Sequence, residues 1–389
     1  GDPYPANVEQ YDGTSWTEIA DLNTARGSTA AAGTTSLALV FGGEPPGTGT
    51  TATEQWDGTS WTTTTAMATA RARHGGAGTH PSALAFGQGP PYIATTEEFN
   101  RSVSTITGAA WASGGNMGTG RYILAGAGIQ TAGLGFGGYA GAVKDETEEY
   151  NGSAWSEQND LNTGRYGLGG IGTQTAALAF GGFTNTSVNN SEEYNGTSWT
   201  EGNNLNTARQ KVVGAGVQTA AVAFGGAPGQ KVDTEEYNGT SWSNGNDLNT
   251  GRSTATGFGL QTAAIVAGGE ISGDAGRTNV EAYDGTNWTS VNSMQRVYYA
   301  NASSGTQTNG LVFGGAPGAG QTGSQQWDGT NWRTSASLGT GRWKLGSATA
   351  ATASSSLAFG GGPPPDGNAG TEEFTGETTA LNLKTLTDS

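Results

Sequence analysis

The sequence predicts an all-β fold, an eight-bladed β-propeller of four-stranded antiparallel blades, on three observations. One pattern returns eight times along the 389 residues. Each copy holds four short strand-like segments separated by Gly, Asn and Asp turns. No stretch carries a helical period with caps, so essentially no helix is expected. Within the same class, the alternative is seven blades and one extra partial blade.

Each copy reads aromatic, Asp/Asn-Gly-Thr/Ser-x-Trp, then Asn-Thr-Ala/Gly-Arg, then an apolar segment ending Phe-Gly-Gly. The Trp positions are 16, 61, 111, 155, 199, 242, 288 and 332, spaced by 43 to 50 residues. A period near 45 with four strands per unit is the signature of propeller blades. The first strand follows the Arg and is rich in Gly and Ala, as after Arg165. It suits the crowded channel side of a blade. The second alternates, as in Ala176 to Phe180; the third is short, as in Glu192-Glu193-Tyr194; the fourth begins at the Trp. Asn195-Gly196 between third and fourth is a tight-hairpin signal, because Gly supplies the positive φ such turns need.

Two charges recur once per copy. The Arg residues are Arg26, Arg71, Arg121, Arg165, Arg209, Arg252, Arg296 and Arg342, ten residues after the Trp except Arg296, at eight. A Glu opens the third strand at Glu9, Glu54, Glu97, Glu148, Glu192, Glu235, Glu281 and Glu372, with Gln325 the exception. In an up-down blade the start of strand one, the end of strand two and the start of strand three share one end. An Arg there reaches across the side-chain-free Gly-Gly to the Glu. A buried charge is costly unless paired, so a layer of structural ion pairs is preferred over a free Arg ring open to anions.

Composition removes several function classes. With 33 acidic against 17 basic residues the net charge is −16, which repels nucleic acid and anionic membrane surfaces. No apolar run is long enough to cross a membrane as a helix. Cysteine is absent and there are two His, His74 and His80, in one repeat. Thiolate, copper and zinc chemistry therefore lack ligands, and neither a metal nor another cofactor is expected. No nucleophile elbow accompanies the His pair, and both are read as surface or satisfied core residues. Asp-Gly-Thr and Asn-Gly-Thr are read as turns, not calcium loops. The Asn-x-Ser/Thr sites at Asn151, Asn195 and Asn238 are the same turns. Gly and Pro, 68 and 12 residues, stay below the share that marks disorder, and 11 Trp argue for a packed core. Gly1 falls inside a repeat, as it would in an excerpt of a longer chain.

The apolar strand ending Gly-Gly, the acidic-aromatic strand and the following Trp resemble the kelch repeat over nearly the whole chain. The near-identical Asp/Asn-Gly-Thr-Ser-Trp and Asn-Thr-Ala-Arg wording also resembles the kelch-like arrays of marine bacteriophage structural proteins. The copper-radical oxidases of some kelch-fold enzymes need Cys, Tyr and His ligands, which this chain cannot assemble.

Variation between copies concentrates in the loop between second and third strands, on the face that holds the Arg and Glu. One-sided variation in a repeat protein marks a binding side. Tyr92, Tyr139, Phe183 and Trp343 are the aromatics of that rim; drift in tolerant loops is the competing reading. Residues 100–110 lengthen one hairpin on the opposite face, a candidate docking finger. The expected function is a non-catalytic virion-surface or extracellular module. It would be a phage fibre or decoration protein that contacts other virion proteins and offers its loops to a host receptor or glycan. The alternatives are a purely structural subunit and a carbohydrate-active enzyme. The whole chain is expected to be one propeller domain. Its N-terminal hairpin, residues 6–20, would complete the last blade and bring Glu9 to Arg342, leaving 376–389 as a tail.

Overall fold

The computed structural model describes residues 4–45, 48–89, 92, 94–100, 103–271, 275–316, 320–362 and 367–382. No described residue is helical. Eight blade sheets form, one for each repeated second strand, all antiparallel; seven have four strands and one has three. The chain divides into two compact units, Gly108–Thr378 and a second made of Gly1–Thr107 with Thr379–Ser389.

Six blades belong to Gly108–Thr378. Their inner strands are Ala125–Ile129, Gly169–Thr173, Val213–Val217, Thr256–Leu260, Ala302–Thr306 and Gly346–Ser347. Each packs against the next, and the last returns to the first, around one channel. We number these blades 1 to 6. Crowding explains the small residues: a Cβ on Gly170 would lie 2.7 Å from the Phe136 ring and 2.8 Å from the Ala125 Cβ.

The seams between blades repeat one set of contacts. The Phe ending a second strand meets the Trp opening the next blade's fourth strand: Phe136–Trp199, Phe180–Trp242, Phe224–Trp288, Phe313–Trp111 and Phe359–Trp155, with centroids 4.8 to 5.3 Å apart. The Trp Nε1 of the later blade donates to a hydroxyl opening the earlier blade's third strand, as Trp199 to Thr147, Trp242 to Ser191 and Trp155 to Thr371. A Tyr hydroxyl donates to the second Glu of the earlier blade: Tyr194 to Glu149, Tyr237 to Glu193, Tyr283 to Glu236 and Tyr150 to Glu373. Blade 5 carries Trp327 in place of Tyr, and blade 4 carries Ala282 in place of that Glu, so the donor and the acceptor are absent together.

These phenols resist ionisation. Burial, then the bond to Glu373, pushes Tyr150 up to about 12, and Tyr194, Tyr237 and Tyr283 are raised further by the same causes. The unfolded value is about 10, so the fold favours the neutral form. That contribution is whole below pH ~10 and is lost as pH rises toward 12. Melting measured from pH 9 to 12 is expected to fall over this window, and Tyr150→Phe together with Tyr237→Phe should flatten the fall. An unchanged slope in the double variant would contradict the assignment.

The ring closes differently from the expectation. Blade 6 consists of Gly346–Ser347, Ser355–Phe359, Thr371–Thr375 and, as its outer strand, Ala110–Ser113, with Trp111 opposite Phe374. The N-terminal hairpin Val8–Tyr11/Trp16–Ile19 pairs only with itself among the described residues. Glu9 is exposed opposite Glu18, and Arg342 takes Glu372. The physical reason lies in residues 100–110. Elsewhere a tight Asn-Gly or Asp-Gly turn ties the fourth strand to its own third. Here the insertion replaces that turn, so the Trp111 strand is free to serve another blade. The insertion is also no simple finger: its strand Val103–Thr107 pairs with Thr378–Asn382, and residues 383–389 of the expected tail lie outside the described residues.

The other unit holds the hairpin, a four-stranded blade (Ala30–Gly33, Ala38–Phe41, Thr53–Trp56, Trp61–Thr63) and a three-stranded one (Gly75–Thr79, Ser82–Phe86, Thr96–Asn100).

Candidate functional site

The recurrent Arg and Glu meet within blades. Arg26–Glu54 (2.6 Å), Arg71–Glu97 (3.0 Å), Arg121–Glu148 (2.8 Å), Arg165–Glu192 (2.5 Å), Arg209–Glu235 (2.9 Å) and Arg342–Glu372 (2.7 Å) are ion pairs, as are Arg252 and Glu281. The Arg side chains are buried, and burial presses Arg165 below its ordinary value while Glu192 opposes it. Each carboxylate also pins the strand that enters its blade. Glu192 accepts the backbone N–H (2.7 Å) and side-chain amide (3.0 Å) of Asn162, and Glu235 accepts from the backbone of Asn206 and Thr207. The guanidinium reaches the Gly-Gly carbonyl across the gap, as Arg252 does at Gly268 (3.1 Å).

Blade 5 departs from the pattern. Arg296 is exposed, and the position ten residues after Trp288 is Tyr298, which is buried. Its partner position is Gln325, whose Oε1 still accepts the N–H of Gln295 at 2.9 Å. Arg and Glu are thus replaced together by a neutral pair that keeps the backbone bond.

Two residues after each Arg position stands a residue with positive φ: Ile123, Gly167, Lys211, Thr254, Ala300 and Lys344, at +51° to +62°. Their backbones join across blades around the channel mouth. Ile123 donates to Lys344, Gly167 to Ile123, Lys211 to Gly167, Ala300 to Thr254 and Lys344 to Ala300, at 2.6 to 2.9 Å. Such a conformation costs a non-Gly residue on the order of 1–3 kcal/mol, and here each one supplies a link in the collar.

The collar carries the rim. The residue after the Arg pairs with the residue after Gly-Gly: Tyr122 with Tyr139, Tyr166 with Phe183, Trp343 with Gly362. The rings run on across blades, Tyr122–Tyr139 at 5.6 Å, Tyr139–Tyr166 at 5.5 Å and Tyr166–Phe183 at 5.2 Å. Lys344 Nζ lies 4.1 Å from the Trp343 ring centre and 5.8 Å from that of Tyr122, linking Trp343 to the arc. Blades 6, 1 and 2 are therefore aromatic at the rim, and blade 5 beside them carries Tyr299 opposite Ala316. Blades 3 and 4 carry Gln210, Ala227, Ser253 and Glu270 at the same positions. Burial and then the proximity of Lys211 lower the Lys344 ammonium, with Glu270 opposing; Lys211 Nζ is itself 3.8 Å from Glu270.

Of the rim residues read from the sequence, Tyr139, Phe183 and Trp343 share this arc. Tyr92 belongs to the other unit, where it is 87% exposed. The sequence reading missed Tyr122, Tyr166 and Lys344, which sit in the Arg segment rather than the variable loop. The loop at 363–366 lies outside the described residues.

The channel below the collar holds about 90 Å³, far under the ~300–1,000 Å³ of ligand pockets. Its hydroxyls are committed: Thr256 to Ser303, Ser303 to the Gly257 carbonyl, Ser347 to the Ser303 carbonyl. Among the described residues no group of three or more His, Asp or Glu could hold a metal ion. His74 packs on Phe41, and burial, reinforced by Arg71, lowers its pKa.

No protein-family model and no curated protein matches the sequence. Among solved structures 411 chains match. One, titled "Structure of YjhT", aligns with 68% of this chain and 99% of its own, at a TM-score of 0.58 and 14% identity. At that identity the likeness is one of fold: an all-β, propeller-type arrangement of repeated antiparallel sheets.

Proposed function

We propose that this chain is a non-catalytic adhesion module of kelch-like repeats that offers the aromatic rim of residues 108–378 to a glycan. The supporting observation is the one-sided arc of Tyr122, Tyr139, Tyr166, Phe183 and Trp343 on an otherwise regular ring. All five are half-buried, so each ring is held by packing and keeps one part free. Preset rings offer contact area at low entropic cost. Their faces suit the C–H faces of sugars. Lys344 and Lys211 favour a sugar with an anionic group, in a chain whose net charge is −16. The small channel and its committed hydroxyls leave the rim as the contact surface. The repeat wording supports a virion-surface setting, in a fibre or decoration protein.

A glycan array probed with the purified chain is expected to show binding that Trp343→Ala and Tyr166→Ala each weaken at least tenfold, with circular dichroism unchanged. Binding equal to wild type in both variants, or no glycan bound, would refute the rim reading and leave a purely structural subunit. Turnover of a bound glycoside would refute the non-catalytic reading. Copurification with virus particles tests the setting.

A further inference from the structure

The unit Gly1–Thr107/Thr379–Ser389 contains both halves of a blade seam, unjoined. In the ring, Phe136, Phe180, Phe224, Phe313 and Phe359 are 0% exposed because a Trp of the next blade covers each. Phe86 holds the same position in the three-stranded blade and is 43% exposed, with Leu84 also exposed beside it. Its ring is already set. A Cβ on Gly75 would lie 2.4 Å from Phe86 Cε2, as one on Gly169 would lie 2.2 Å from Phe180 Cε2.

Trp16 is the converse. It is 67% exposed, yet it stacks on Tyr11 at 5.1 Å and 37°, the same geometry as Tyr150–Trp155, whose Trp covers Phe359. The polar contacts of a seam are matched as well. The hydroxyl that receives the Trp Nε1 corresponds to Thr96, and the carboxylate that receives the Tyr hydroxyl corresponds to Glu98. Thr96, Glu98 and Tyr11 are all exposed.

We propose that the Tyr11/Trp16 hairpin of one copy docks on the Phe86 face of a second copy, building the ring's seam between molecules. Trp16 covers Phe86, Trp16 Nε1 donates to Thr96 Oγ1, and the Tyr11 hydroxyl donates to Glu98. The ring identifies the occupant, because five of its seams cover the equivalent face with a Trp, four of them from a hairpin of the same wording as this one. One such contact leaves a free hairpin at one end and a free Phe86 face at the other, so copies add head-to-tail. Association therefore continues beyond a dimer. The inference is independent of the rim reading.

Sedimentation velocity over a concentration series is expected to show the chain growing beyond a dimer. Trp16→Arg and Phe86→Arg should each be monomeric alone. Mixed in equal amounts, they should form a dimer and stop, since the mixture retains one intact hairpin and one intact face. Tyr11→Ala and Glu98→Ala form a second such pair, should an Arg variant misfold. A wild-type chain that stays monomeric at every concentration overturns the proposal. So does association that survives both substitutions, or a mixture that stays monomeric.

Discussion

Arg165→Ala is expected to destabilise the ring by about 3–5 kcal/mol in equilibrium unfolding, the cost of leaving a buried charge without its partner. Both side chains of the Arg165–Glu192 pair are fully buried, and their bond is 2.5 Å. An exposed pair would cost under ~1 kcal/mol, so the measurement separates the two cases. The variant leaves Glu192 charged, with only the Asn162 donors. Glu192→Gln alone should be harmful too, because it leaves Arg165 charged in the same place. Blade 5 carries the neutral residues Tyr298 and Gln325 at these positions, where Gln325 keeps the backbone bond. The double variant Arg165→Tyr/Glu192→Gln is therefore expected to be more stable than either Arg165→Ala or Glu192→Gln. The cycle completed by Arg165→Tyr alone should show a coupling of about 1–3 kcal/mol. Additive losses would mean that the two groups act separately, and a change below about 1 kcal/mol in Arg165→Ala would mean that the charge finds water.

The blade itself was legible because it rests on local chemistry. The Asn-Gly turn, the alternation through Ala176–Phe180 and the Arg and Glu at one sheet end each follow from spacing within a repeat. Arg296 misled the reading because residue type was weighed above register. Ten residues after Trp288 stands Tyr298, and Gln325 is the one departure among the Glu positions. Read together, the two departures describe one neutral pair. The rim was half legible. The variable loops contained Tyr139 and Phe183, but Tyr122, Tyr166 and Trp343 follow the Arg, and the bridges Tyr122–Tyr139 and Tyr166–Phe183 bring the first two level with the loop aromatics. The collar had no signal, since five of its six left-handed positions carry ordinary side chains. The grouping of blades had one: the widest gap between Trp positions, 50 residues, lies before Trp111. That gap is where the fourth strand leaves its own repeat.

The ring should therefore depend on Trp111 and not on the N-terminal hairpin. Trp111 lies between Phe374 at 5.1 Å and Phe313 at 4.9 Å, and its Nε1 donates to the Ala336 carbonyl at 3.0 Å. Its strand also covers the edge of Thr371–Thr375, the strand that carries Glu372 to Arg342 and Glu373 to Tyr150. Losing the strand exposes a sheet edge and loosens the seam between blades 5 and 6. Removing a well-packed Trp side chain costs about 3–5 kcal/mol, and Trp111, half-buried, belongs at the lower end. Residues 108–378 produced alone are expected to melt in one transition, at the temperature of the ring in the full chain. Deleting residues 1–18 should leave that transition in place. Residues 115–378, without the outer strand, should melt well below it, and Trp111→Ala should fall between. If deleting 1–18 lowers the ring transition more than Trp111→Ala does, the hairpin is the closing strand after all.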